Sequence, residues 1–280
     1  MTAFRSAFLM STVRRHKDVP GHDGRTNDIF FAPPTTPAAA ADPYAIVFFG
    51  GDVQDGRDAM LAHRDNRRHA EEWSLERTAA RLAEAHPGAA AVAIRPSRMT
   101  YGTFSAYQNF VESDSIGCPT HGDDHGAVMH LLALLGALET REGGNFKASW
   151  PKKLVGFSKG VVVLNQLLHE VANGVSLEGV ETLCWLDGGH NGGKETWVTD
   201  EALLKRALLG QKRFAVDVRV TPYQVRCDRR PWIGKEEKKF VAILKRLGVD
   251  VTRKVYFEDE EPSVDSHFKV LTTFNDQQLM

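Results

Sequence analysis

One short stretch of the chain has the residue types and spacing of a nucleophilic site. Residues 154–164 are typical of an apolar strand, a tight turn and a helix start, with the run GFSKG from Gly156 to Gly160 at the turn. In a G-x-S-x-G turn the strained backbone lifts the serine hydroxyl clear of the sheet edge, and glycines avoid crowding the strand and helix. The helix N-terminus offers N–H groups to a developing oxyanion. The stretch predicts Ser158 as a nucleophile; a chance turn is the alternative.

A serine needs a base, and a histidine in a suitable position follows it in the chain. His267 lies after the predicted last strand, residues 251–257, and an imidazole titrating near neutral pH suits this role. The alternative is a surface histidine beside the acidic run 258–261. A carboxylate must also hold the imidazole in the right tautomer, and the expected chain order is serine, acid, histidine.

Two aspartates compete for the role of that carboxylate. Asp228 follows the predicted strand 214–225, the second strand beyond the turn, and this position makes it the preferred candidate. Its flanking arginines would keep it ionised but could also compete for its oxygens. Asp187 ends the preceding strand and is followed by two glycines that leave its carboxylate free. Asp187 therefore remains the alternative.

Stabilising an acyl-transfer oxyanion requires two hydrogen-bond donors, and the sequence offers candidates for both. One is the backbone N–H of Lys159, directly after the serine, and the other comes from the loop after the first core strand. Gly51, Asp52 and Val53 occupy that loop, where glycine lets the backbone turn towards the site. An ordinary strand-ending turn is the alternative interpretation.

Other patterns in the sequence do not favour a cofactor or a metal. The run from Gly188 to Lys194 resembles a P-loop but continues with Glu195, which has no hydroxyl for magnesium. Histidines and an aspartate between His121 and His130 have ligand-like spacing but lack a second fixed set of ligands, so helix capping explains them better. We therefore predict no cofactor and no metal.

The elements that must position these residues alternate between strand and helix. From residue 44 onward this alternation predicts an α/β domain with a mainly parallel central sheet and helices on both faces, as in α/β-hydrolases. A single amphipathic helix is predicted over residues 67–85. The long segment 97–119 carries four aromatic residues and is predicted to cover the site as a lid or pocket wall: Tyr101, Phe104, Tyr107 and Phe110.

Composition narrows the class of protein. The chain has 280 residues, 42% hydrophobic and 25% charged, with a net charge of −1, so neither nucleic acid nor an anionic membrane is the expected partner. No apolar run approaches the roughly 20 residues of a membrane span. Three cysteines, an odd number, favour a reducing compartment.

The N-terminus is set apart by its charge. Residues 1–17 are basic and contain no acid, which is typical of an organellar transit peptide and equally of a basic tail. We therefore predict a flexible segment over residues 1–27 and a single domain over residues 28–280.

Several longer strings resemble one family. The chain from about residue 44 to its end is similar to the family of the human chromosome-2 open-reading-frame-69 protein. The strings that carry this resemblance are GFSKG (156–160), VLNQL (163–167), WLDGGH (185–190), TWVTD (196–200), TPYQV (221–225), FEDEEP (257–262), His267-Phe268 and GDVQ (51–54). The resemblance implies an α/β-hydrolase-like fold and, for animal members, a mitochondrial address; a cytoplasmic one is the alternative. It implies no substrate.

Two functions remain open at the level of sequence. The first is a serine hydrolase that acts on an ester or thioester, with a small-molecule or acyl substrate. The second is a catalytically silent hydrolase fold that serves as a binding or regulatory partner of another protein, and fold alone does not separate the two. The complete set of serine, aspartate and histidine favours the enzyme.

Overall fold

A computed structural model describes residues 12–36, 42–210 and 214–275 of the chain. Its main feature is an eight-stranded sheet. The strands are β1 (Arg14–Pro20), β2 (Thr26–Ala32), β3 (Tyr44–Phe49), β4 (Ala89–Ile94), β5 (Lys152–Phe157), β6 (Val180–Leu186), β7 (Ala215–Val220) and β8 (Val251–Val255). Their order in the sheet is β1-β2-β4-β3-β5-β6-β7-β8. Strand β2 runs antiparallel to both neighbours, and the other neighbouring strands are parallel.

Helices cover both faces of this sheet. They are α1 (Arg57–Ala62), α2 (Ala70–Trp73), α3 (Leu75–Ala85), α4 (Ala127–Glu142), α5 (Val161–Ala172), α6 (Glu201–Leu209), α7 (Pro222–Val225), α8 (Pro231–Arg246) and α9 (Val264–Lys269). One hydrophobic core lies between the sheet and α4, α5, α6 and α8, and a second lies between the sheet and α3 and α9. The predicted mainly parallel sheet with helices on both faces is confirmed.

The inner strands owe their position to uninterrupted apolar sequence. Strand β4 reads AAAVAI and is buried throughout, while β3 reads YAIVFF and is buried from its second residue. A parallel strand covered on both faces needs this composition, because neither face reaches water. None of the helices in the described ranges is long and apolar enough to cross a membrane.

The N-terminal segment departs from the prediction. Residues 14–20 form edge strand β1 rather than part of a flexible segment 1–27, and β1 pairs with β2. Exposed charged residues dominate β1, but Val19 is fully buried in the core. Arg14 and His16 both bond the buried carboxylate of Glu142 at the end of α4. Residues 1–11 of the candidate transit peptide lie outside the described residues.

Two predicted element boundaries are also wrong, each for a local reason. The helix predicted over 67–85 is broken at Ser74, whose extended backbone starts α3 and whose hydroxyl accepts a hydrogen bond from the Arg77 N–H. The strand predicted over 214–225 ends at Val220, because Pro222 starts the short helix α7. The segment directly after Val220 therefore lies at the sheet edge, in place of the segment after residue 225.

Candidate active site

The site lies where neighbouring parallel strands end at the same level. Phe49 of β3 pairs with Gly156 of β5, and Phe157 of β5 pairs with Leu186 of β6. Two residues beyond Phe49 is Gly51, and directly after Phe157 and Leu186 come Ser158 and Asp187. Strand register therefore brings together Gly51, Ser158 and Asp187, three residues far apart in sequence.

The turn at Ser158 has the strained geometry that the motif predicts. Ser158 has a left-handed φ of 53°, which is rare outside glycine. A Cβ at Gly156 would lie 2.9 Å from the Val161 backbone, and one at Gly160 would lie 2.1 Å from the Phe49 carbonyl oxygen. The turn and the start of α5 approach β5 at Gly156 and β3 at Gly160 so closely that only glycine fits at both positions.

His267 is held by Asp187. Its Nδ1 lies 2.6 Å from Asp187 Oδ2, and the carboxylate also accepts hydrogen bonds from the Thr221 N–H and hydroxyl, each at 2.6 Å. Asp187 is fully buried, so these three bonds replace its lost hydration. A carboxylate facing Nδ1 favours the tautomer with its proton on Nδ1, which leaves the Nε2 lone pair for another partner.

Aromatic rings fix the plane of this imidazole. The His267 ring stacks on Phe157, with centroids 4.6 Å apart, and on Tyr223, at 4.8 Å. Phe157 directly precedes Ser158, so the stack places the imidazole beside the serine turn. Ser158 and His267 are 8% and 6% exposed, and across the described ranges no hydrogen bond joins their side chains.

Asp228 lies apart from this cluster. It occupies an exposed turn between α7 and α8, and within the described part of the chain it makes no hydrogen bond to His267. The preference for Asp228 over Asp187 is therefore corrected: the early end of β7 leaves Asp228 eight residues beyond the sheet edge, and β6 delivers Asp187 to the histidine.

The loop after β3 contacts Ser158 through Gly51. A Cβ at Gly51 would lie 2.5 Å from Ser158 Cβ and 3.0 Å from its Oγ. Of the three donors predicted here, the Gly51 N–H donates to Gln54 Oε1 at 3.1 Å and the Val53 N–H donates to Thr103 O at 2.7 Å. The Asp52 N–H bonds no group among the described residues. The N–H groups of Gly51 and Val53 are thus already bonded, and the prediction that they serve as oxyanion donors is wrong. The N–H of Asp52 remains the candidate from this loop.

The Lys159 side chain shows a role that the sequence pattern did not indicate. It is 1% exposed, and its Nζ lies 2.7 Å from Asp52 Oδ1 and 2.9 Å from the Ile116 carbonyl oxygen. Thr221 and Tyr223 were also missed as site residues. Both lie in the string TPYQV, which contributed only to the family resemblance, because nothing local shows that Thr221 faces Asp187.

The predicted lid over residues 97–119 is only partly present. Thr103, Ser105 and Ile116 bond the loop after β3 or Lys159, so the segment borders the site. Tyr107 and Phe110, however, are buried against Phe49 in the core, at ring centroid distances of 5.9 and 5.3 Å. Tyr101 is 79% exposed. These three aromatics do not form a pocket wall over Ser158.

The other patterns have structural explanations. His130 is buried, with Nε2 2.7 Å from Asn27 Oδ1 and Nδ1 accepting a hydrogen bond from the His22 N–H. The N-terminal N–H groups of α4 are bonded by Glu170 of α5, not by Asp124. No cluster of metal-ligating side chains is present in the described ranges.

Comparison with known sequences gives a consistent family match. The C2orf69 family model matches residues 15–143 and 145–250. A zebrafish protein named mitochondrial protein C2orf69 homolog is 39% identical over 93% of this chain and 85% of its own. The human mitochondrial protein C2orf69 is 37% identical over 82% of this chain and 74% of its own.

Solved structures similar to this one include esterases. A thermostable esterase superposes with a TM-score of 0.57 at 13% identity, and the match covers 97% of this chain. It covers 62% of the esterase chain, which is less than two thirds of its length. Esterase Est22 gives a TM-score of 0.54 at 12% identity and covers 96% of this chain and 80% of its own. At such identities the likeness shows the fold alone, and it confirms the predicted α/β-hydrolase fold.

Proposed function

The chain belongs to the C2orf69 family, and we propose that it is a serine hydrolase that cleaves an ester or thioester through an acyl-enzyme at Ser158. The relatives named above are mitochondrial proteins, in agreement with the mitochondrial address predicted for this chain. The hydrolase fold does not by itself establish the activity, because one fold hosts many functions. The geometry of the site supports the activity.

One observation supports the proposal most strongly. The buried carboxylate of Asp187 holds His267 Nδ1 at 2.6 Å, one strand from Ser158 and at the same level of the sheet. A histidine oriented by a desolvated carboxylate and placed beside a strained serine is the arrangement that acyl transfer needs. Thr221 provides two further hydrogen bonds that keep this carboxylate in place.

The proposed reaction has two half-steps. In the first, His267 Nε2 takes the Ser158 proton while Oγ attacks the substrate carbonyl, and the same proton then passes to the leaving alcohol or thiol. In the second, His267 takes a proton from water, which attacks the acyl carbonyl, and returns it to Oγ as the acid leaves. Asp187 stabilises the imidazolium at each transfer. The backbone N–H groups of Asp52 and Lys159 bind the oxyanion.

A second candidate function is a catalytically silent hydrolase fold that binds a partner protein. It is favoured by the low exposure of Ser158 and His267 and by the lack of a hydrogen bond between them in the described ranges. Catalytic hydrogen bonds are often long in the absence of ligand, so this observation weighs less than the Asp187–His267 pair.

Labelling with a fluorophosphonate probe tests the two candidates. The hydrolase should become labelled at Ser158, identified by mass spectrometry of the modified peptide, and Ser158→Ala should lose the label. Ser176→Ala is the matched control, because Ser176 lies in the loop after α5 and should leave labelling unchanged. Folded protein that stays unlabelled with several probe sizes and hydrolyses no ester or thioester would contradict the enzyme and support the silent fold.

A further inference from the structure

We propose that the ion pair between the buried Lys159 and the partly exposed Asp52 is a clamp that sets the distance between the two backbone N–H donors of the oxyanion hole. Each of these residues contributes a donor from its backbone and one charge to the pair. The catalytic consequence rests on the proposed function. The clamp itself is a property of the fold and can be tested without turnover.

The contacts of Lys159 point inward, away from solvent. Its ammonium lies 2.7 Å from Asp52 Oδ1 and 2.9 Å from the Ile116 carbonyl oxygen, and 5.3 Å from the centre of the Phe104 ring. The side chain is 1% exposed. With these contacts occupied, the lysine is held as a structural link between the turn after β5 and the loop after β3.

The Asp52 carboxylate is tied to a third segment as well. Its Oδ1 accepts hydrogen bonds from the Ser105 N–H at 2.8 Å and from the Ser105 hydroxyl at 3.1 Å. The neighbouring N–H groups of Gly51 and Val53 are bonded to Gln54 and Thr103. The loop is thus fixed on either side of Asp52, while the Asp52 N–H has no partner among the described residues.

An ion pair with a buried ammonium is a costly way to join two loops. Removing an ammonium from water is unfavourable, and apolar replacements of buried pairs are often as stable or more stable. An ion pair nevertheless specifies geometry, because its attraction and hydrogen bonds require a defined distance and direction. Its position supports a positioning role: the paired residues follow Gly51 and Ser158, which approach so closely that a Cβ added at Gly51 would lie 2.5 Å from Ser158 Cβ.

The test compares the native protein with a double variant that carries both Lys159→Met and Asp52→Asn. Removing both charges avoids the unpaired buried ammonium that Asp52→Asn alone would leave. Arg253→Met with Glu237→Gln is the matched control, because it removes another ion pair with one buried and one partly exposed partner, joined by a 2.9 Å contact between β8 and α8. Hydrogen exchange of residues 50–54 and 157–160 is measured, together with kcat and KM on an ester that the native protein hydrolyses.

If the ion pair acts as a clamp, its removal should loosen the site and leave the rest of the fold unchanged. In the double variant, exchange of residues 50–54 should rise roughly tenfold, as expected for a segment that opens locally, while core strands keep their protection. The control should leave residues 50–54 as in the native protein. In kinetics, kcat should fall roughly 10²-fold, the scale of losing one oxyanion donor, with KM nearly unchanged.

Three outcomes separate the clamp from the proposed function. Native-like exchange of residues 50–54 in the folded double variant overturns the clamp, whatever the activity. Faster exchange with unchanged kcat in an active enzyme also overturns it, because the pair would then not position the donors. If the native protein neither labels nor turns over, the hydrolase proposal fails, and the exchange measurement alone decides whether the pair holds the loop.

Discussion

Ser158 and Asp187 occupy equivalent places at the ends of two neighbouring strands. Their preceding residues, Phe157 and Leu186, are register partners in parallel strands β5 and β6, and both residues have left-handed φ angles, 53° and 44°. A non-glycine residue in this conformation is strained, and such strain persists only where surrounding structure enforces it. Here it turns two polar side chains out of the sheet, and the Asp187 carboxylate bonds His267.

The first prediction concerns the carboxylate that orients His267. Asp187→Asn should lower kcat by roughly 10⁴ without unfolding the protein, because an amide facing Nδ1 favours the wrong tautomer. Asp228→Asn is the matched control and should retain nearly full turnover, since Asp228 lies in an exposed turn. Steady-state hydrolysis and thermal unfolding of both variants check this. Loss of turnover in Asp228→Asn alone would restore Asp228 as the orienter.

The second prediction concerns Thr221. Thr221→Val removes the 2.6 Å hydrogen bond from its hydroxyl to Asp187 but keeps the bond from its N–H. Because hydrogen bonds to charged groups contribute about 1.5–3 kcal/mol, kcat should fall roughly 10- to 100-fold, far less than in Asp187→Asn. Thr252→Val removes a 2.9 Å bond to Asp217 and serves as the control. Equal kinetic losses in the two variants would contradict a specific role for Thr221.

The third prediction concerns the close approach of α5 to β3. Gly160→Ala would place a Cβ 2.1 Å from the Phe49 carbonyl oxygen, a backbone atom that cannot move aside cheaply. We expect it to lower the free energy of unfolding by roughly 2–4 kcal/mol or to prevent folding, as overpacking does. Gly136→Ala, in α4 with nothing within 4 Å of the new Cβ, should instead stabilise by about 0.5–1 kcal/mol. Urea unfolding measures both, and a tolerated Gly160→Ala would show that this turn relaxes.

The fourth prediction concerns pH. Burial, together with the charge of Arg25, lowers the pKa of His130 from 6.5 to about 4, so the folded protein keeps this ring neutral. The stability that His130 contributes is complete above pH 6.5, where the unfolded ring is also neutral, and is lost as pH falls from 6.5 towards 4. From this residue alone, about 2 kcal/mol should be lost between pH 6.5 and 5.

His130→Gln isolates that contribution. The glutamine cannot take up a proton, so the decline in unfolding free energy between pH 6.5 and 5 should be smaller by about 2 kcal/mol than in the native protein. Urea unfolding at the two pH values measures the difference. An identical decline in both proteins would show that His130 accepts a proton without cost in the folded state.

The serine turn and the positions of the inner strands along the chain could be predicted from sequence because both leave local signals. Gly156 and Gly160 flank Ser158 at a strand–helix junction, and the strands around it are continuous apolar runs. Strand β1 was missed, because its sequence RRHKDVP has no apolar alternation. Its place at the sheet edge depends on contacts of Arg15 with Asp28 in neighbouring strand β2 and of His16 with Glu142, which lies far along the chain.

What the sequence by itself determined is therefore the hydrolase-like order of elements and the identities of Ser158 and His267 as candidates. The choice between Asp187 and Asp228 was decided only by tertiary structure. Both aspartates follow predicted strands, but Pro222 ends β7 early, and the register of β5 with β6 brings Asp187 beside the histidine. Local propensity shows where a strand exists, whereas the residue that meets a side chain from another loop depends on where each strand ends relative to its neighbours.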